Sequence, residues 1–161
     1  MKEIKAPNEI NDVGYTIFLA GSIEQGKAEK WQDKIVRLLK NEDVIIFNPR
    51  RDDWDSSWIQ SIENPQFREQ VEWELRAMEH ADCILMYFDP KTKSPITLLE
   101  LGLFADSRKL IVVCPEGFWR KGNVDIVCLR YGIEQMKTIE EAVKNLLKEK
   151  IKKNLPKSKE G

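Results

Sequence analysis

The chain has 161 residues, the size of one ordinary domain, and its 26 basic and 27 acidic side chains nearly cancel. That balance argues against a general grip on nucleic acid, which wants a clear basic excess. A 42% hydrophobic share supplies a real core, and no apolar run approaches the roughly 20 residues needed to cross a membrane.

The first fourteen residues, MKEIKAPNEINDVG, are polar and lack the apolar centre of a signal peptide, so a flexible segment is expected over 1–14. YTIFLAG then predicts a first strand from Thr16 to Leu19, ending in glycine. In KAEKWQDKIVRLLKN, Trp31, Ile35, Leu38 and Leu39 recur at helical spacing. DVIIFNP is a second strand stopped by Pro49, followed by a polar, tryptophan-bearing loop, RRDDWDSSWIQSIEN. A helix is predicted over Pro65–His80 with proline near its start. DCILMYFD is a third strand, Pro95 to Asp106 a further helix, and KLIVVCP a fourth strand. VDIVCLRYG reads as a short helix and IEQM as a short fifth strand. Thr138 and Glu141 stand in capping-box spacing ahead of an amphipathic helix, and a frayed tail is expected over 156–161.

Alternating strands and helices imply a parallel sheet covered on both faces. The expected fold is a single α/β domain over 15–155. It is a doubly wound, mainly parallel five-stranded sheet of the flavodoxin or Rossmann-like kind, in strand order 2-1-3-4-5. Such sheets place ligands beyond the carboxyl ends of their strands. GSIEQG, NPRRDDW, DPKTKSP and PEGFWRKGN all follow strands and would converge there. Cys83, Cys114 and Cys128 lie far apart with no metal spacing and read as reduced core thiols of a cytoplasmic protein. His80 is the sole histidine, which argues against a histidine-based metal site or triad. No cofactor is expected.

One residue resists this simple reading. SPITLLELGLFA is almost wholly apolar, yet Glu100 stands in its middle. With Ser94 as N-cap and Pro95 first in the helix, Glu100 shares a face with Ile96, Leu103 and Phe104, the side expected to meet the sheet. A carboxylate there is costly unless it is paired, hydrogen-bonded or functional. Periodicity alone leaves two readings open, an ion pair with a group such as Arg108 or a carboxylate aimed into a ligand cleft.

IFLAGS, an AD pair ahead of a strand, and SPITLLELGLFA together resemble the nucleoside 2-deoxyribosyltransferase family and the related deoxynucleoside 5′-monophosphate N-glycosidases. The likeness runs from about Thr16 to Asp125. It implies that Glu100 is the nucleophile, attacking the C1′ atom of a sugar to form a glycosyl ester. It also implies a base-handling acid at Asp82, and Glu74 matches an acid of the glycosidase relatives. Ser94 stands where the transferases carry an aspartate, and Ile17 where they commonly carry a tyrosine; serine is the glycosidase pattern. From position after strands, Gly21, Ser22, Asn48, Arg50, Arg51, Trp54 and Ser94 are candidate substrate contacts, with Phe67 beside them. The leading expectation is transfer of 2-deoxyribose between nucleobases. Hydrolysis of nucleoside 5′-monophosphates and a non-catalytic nucleotide-binding module remain alternatives. Nucleosides or nucleotides and free bases are the expected partners, neither nucleic-acid polymer nor membrane is, and the resemblance implies a homo-oligomer.

Overall fold

The structure is a computed structural model that describes residues 1–23 and 30–154. The GSIEQG segment beyond Ile23 and the tail expected over 156–161 lie outside these residues. The strands are β1 (Lys2–Lys5), β2 (Thr16–Gly21), β3 (Ile45–Asn48), β4 (Cys83–Tyr87), β5 (Leu110–Val113) and β6 (Glu134–Met136). The helices are α1 (Trp31–Leu39), α2 (Pro65–His80), α3 (Pro95–Phe104), α4 (Lys121–Tyr131) and α5 (Ile139–Asn154), with a 3₁₀ turn at Ala105–Ser107. All strand pairs are parallel, and the sheet runs β1-β3-β2-β4-β5-β6. The expected doubly wound α/β fold is present, and its five expected strands lie in the expected order.

The difference is the sixth strand. Lys2–Lys5 is not a loose segment; it pairs with β3 at the sheet edge. Only Ile4 is fully buried there, so no apolar run announces the strand. Backbone bonds hold it, Lys2 donating to Val44 at 3.0 Å and Ala6 to Asn48 at 3.2 Å. Lysines suit an edge, where they discourage further strand pairing. The following segment is also tied down, because the Trp73 indole donates to the Asn8 carbonyl at 2.7 Å.

Period-two alternation along β2 explains the layers. Phe18 and Ala20 face one core with Trp73, Ala77, Met78, Leu101 and Val124, which places α2, α3 and α4 on that side. Ile17 and Leu19 face the other with Trp31, Ile35, Leu39, Val143 and Leu146, which places α1 and α5 opposite. Continuing the alternation, Ser22 leaves β2 toward the α3 side. Trp31 is a fully buried core residue, and its indole also donates to the Ser22 carbonyl at 3.0 Å. Thr138 caps α5, accepting from the Glu141 amide at 3.2 Å, while Glu141 reaches the Lys137 amide at 3.0 Å.

At the end of β2 the close approach is made by protein. A Cβ on Gly21 would stand 2.5 Å from the Tyr87 carbonyl oxygen and 2.6 Å from the Trp31 ring, and its φ of +155° already disfavours a side chain. Gly21→Ala is expected to lower unfolding free energy by about 2 kcal/mol or more in urea titration; an unchanged midpoint would contradict this packing.

Candidate active site

Helix α3 turns the usual amphipathic rule inside out. Its buried residues are Thr97, Glu100 and Leu101. Ile96, Leu99 and Leu103 are 59, 58 and 59% exposed, whereas Glu100 is 7% exposed. The expectation that Glu100 is on the inner face holds, but Ile96 and Leu103 do not share that face. Nor does Arg108 pair with it: among the described residues Glu100 has no hydrogen bond or ion pair. Burial raises its carboxyl pKa to about 8, with a further push from the charge on Glu74.

Glu74 comes from α2. Phe67, Gln70 and Glu74 share one stripe of that helix, three and four residues apart. The Gln70 side-chain amide bridges two acceptors, the Pro49 carbonyl at 2.8 Å and Glu74 Oε1 at 2.7 Å. Burial pushes the Glu74 carboxyl up to about 7, the Gln70 bond opposing it. Two carboxyl groups on neighbouring helices are thus coupled, both with pKa values moved toward neutrality.

A third feature lies where β2 and β4 end. Ser22, Thr92 and Ser94 are buried, and their hydroxyls meet one another. Thr92 is 2.8 Å from Ser22 and 2.7 Å from Ser94, and Ser22 and Ser94 are also bonded. The Asp89 amide donates to Ser22 Oγ at 3.2 Å, and Thr92 Oγ1 donates to the Asp89 carbonyl at 2.9 Å. Ser94 occupies the N-cap position of α3, but its side chain makes no cap bond. Its φ of 49° swings the hydroxyl into this cluster instead.

The family model described as nucleoside 2-deoxyribosyltransferase like matches residues 14–118. The chain belongs to that family. The match covers β2 through β5 with α1, α2 and α3, and therefore the glutamate pair and the hydroxyl cluster; α4, β6 and α5 follow it. No individual curated protein matches the chain.

Within this nucleoside 2-deoxyribosyltransferase-like chain, the other expected contacts divide. Asp82 is not with Glu100. It opens β4 at the amino edge of the sheet, where it accepts from the Thr16 amide at 2.9 Å and the Thr16 hydroxyl at 3.2 Å and pairs with Lys153. A parallel strand begins at the edge opposite its ligand-binding end, so the AD pair is a structural clamp between β2, β4 and α5. Arg51 is also committed elsewhere. Its guanidinium reaches Asp53 and Glu69, each at 3.0 Å, and lies 5.1 Å from the centre of the Trp58 ring. Trp54 stacks edge-on against Trp58 at 5.0 Å and is exposed, which makes the pair part of the loop's own packing. Asn48 donates to Glu3 at 2.8 Å and accepts from the Arg50 amide at 3.1 Å, so it shapes the loop. Among the described residues the Arg50 guanidinium makes no hydrogen bond or ion pair; only its backbone amide is engaged, by Asn48. Gln70 and Thr92 escaped sequence reading. The i, i+4 spacing of Gln70 and Glu74 was the available signal for the first.

The raised Glu100 pKa has a stability consequence. The folded protein holds that proton more tightly than the unfolded chain, so stability falls as pH rises from about 4.5 toward about 8. Glu100→Gln removes the buried charge. It is expected to raise stability at pH 9 by at least about 1 kcal/mol, with the gain vanishing near pH 4. Urea unfolding at both pH values checks this; an equal effect at both would contradict it.

Proposed function

We propose that the protein transfers 2-deoxyribose between nucleobases through a glycosyl ester on Glu100. The observation that carries this reading is a buried carboxyl group without a partner among the described residues, next to a second carboxyl group from an adjacent helix. Cleaving an N-glycosidic bond builds positive charge at C1′, which a desolvated carboxylate stabilises far better than water does. In the first step a Glu100 oxygen bonds to C1′ as the C1′–N bond breaks, and the departing base takes a proton from Glu74. In the second, an acceptor base attacks C1′ from the vacated face, the ester bond breaks, and the acceptor's N–H proton returns to Glu74. Two inversions give net retention. Charge at C1′ favours the ionised Glu100, so substrate draws the pair's remaining proton to Glu74.

A second reading is hydrolysis of deoxynucleoside 5′-monophosphates, with water as the acceptor. Ser22, Thr92 and Ser94 favour it, since they gather hydroxyls at the N-terminus of α3, where backbone amides and the helix dipole suit a phosphate. Purified protein with deoxyinosine and free adenine is expected to form deoxyadenosine. Glu100→Ala should lower the rate by at least about 10³-fold. Release of free base and sugar alone, or activity confined to the monophosphates, would favour the hydrolase. Binding without turnover would leave a nucleotide-binding module.

We further propose a homo-oligomer in which a second copy covers α3. Its exposed side is entirely apolar, and Ile126 and Leu129 of α4 are 68 and 86% exposed. Between the two helices runs a groove of about 320 Å³ lined by Leu98, Leu101, Val124 and Val127 among others. The same apolar face on two copies makes a self-complementary contact. Light scattering is expected to give a dimer or larger for the natural chain and a monomer for Leu99→Glu with Leu103→Glu; a monomeric natural chain would refute it.

A further inference from the structure

The Gln70 amide is buried, with 5% of the residue exposed, and its orientation is fixed by chemistry. The Pro49 carbonyl can only accept, so the NH₂ end must face it; the second N–H then goes to Glu74. This leaves Gln70 Oε1, buried and without a hydrogen-bond partner among the described residues. An orphaned buried acceptor costs roughly 1–3 kcal/mol, and the deficit disappears when a ligand brings a donor. The orphan oxygen belongs to the same amide that touches Glu74.

We propose that Gln70 is a specificity residue that selects 6-aminopurines over 6-oxopurines. This rests on the reading of Glu74 as the acid that handles the base. A purine leaving group takes its proton well at N7. Beside N7, adenine carries an N–H₂ donor, whereas guanine carries the acceptor O6, and hypoxanthine shares that oxo group. With Glu74 at N7, the neighbouring Gln70 Oε1 meets the 6-substituent. An amine satisfies the orphan acceptor. An oxo group sets oxygen against oxygen, and the amide cannot flip without facing its oxygen to the Pro49 carbonyl. A site that leaves a buried polar group unpaired discriminates strongly against the wrong substrate.

The test is kcat/KM for consumption of 2′-deoxyadenosine, 2′-deoxyinosine and purine 2′-deoxyriboside, which lacks a 6-substituent, with one common acceptor base and with the 5′-monophosphates in parallel. The natural chain is expected to favour deoxyadenosine over deoxyinosine by on the order of tenfold to a hundredfold. Purine deoxyriboside should fall between them, and Gln70→Leu should level the two. Equal rates, an oxopurine preference, or a preference that persists in folded Gln70→Leu would overturn the proposal while leaving Glu100 as nucleophile. If Gln70→Leu does not fold, the deoxyriboside decides: an intermediate value supports the proposal and a value equal to deoxyadenosine overturns it. If no substrate is consumed, the Glu100 reading fails first. Calorimetric binding of adenine against hypoxanthine then judges Gln70 alone, tighter adenine supporting the assignment and equal affinities refuting it.

Discussion

A carboxyl group held out of water beside a second carboxyl group is the constraint on which this molecule turns. Glu100 has neither a cation nor a hydrogen-bond donor among the described residues to offset its burial, and Glu74 adds repulsion. A fold under selection for stability alone replaces such a residue with leucine, which the rest of α3 would accept. Retaining it costs stability at neutral pH, and a buried group poised near neutrality is what proton and glycosyl transfer require. The parallel sheet makes the arrangement possible. It brings α2 and α3 to one face and gathers the ends of β2 and β4 beside them.

Much of the fold was legible because its signals are local. The apolar runs at Thr16–Leu19, Ile45–Phe47 and Cys83–Tyr87 have no other comfortable place than a sheet buried on both sides. β1 was not legible, since KEIK offers one inward side chain and owes its place to backbone bonds with β3. For the site, Glu100 declared itself as a charge in an apolar helix, and Glu74 is electrostatically coupled to it. For Asp82 the two sequence signals disagreed. The resemblance implied a base-handling acid, whereas a residue opening a strand of the expected parallel sheet belongs at the edge away from the ligand, and that is where the start of β4 lies. Arg51 misled for a different reason: sequence cannot show that Asp53, Glu69 and Trp58 already engage the guanidinium.

Helix α3 carries two demands at once. Its inner side holds Thr97 and Glu100, and its outer side is Ile96, Leu99 and Leu103. This inversion explains why helical spacing put Glu100 on the correct side and Phe104 against the core, but wrongly turned Ile96 and Leu103 inward with them. If a second copy packs on α3 as proposed, it would also restrain the backbone that positions Glu100.

The most direct measurement is peptide mass mapping of protein quenched in acid during turnover of a 2′-deoxynucleoside. The account predicts a deoxyribosyl adduct on the peptide containing Glu100, which disappears when acceptor base is added before the quench. A stable adduct on another residue, or turnover that inverts the configuration at C1′, would contradict it.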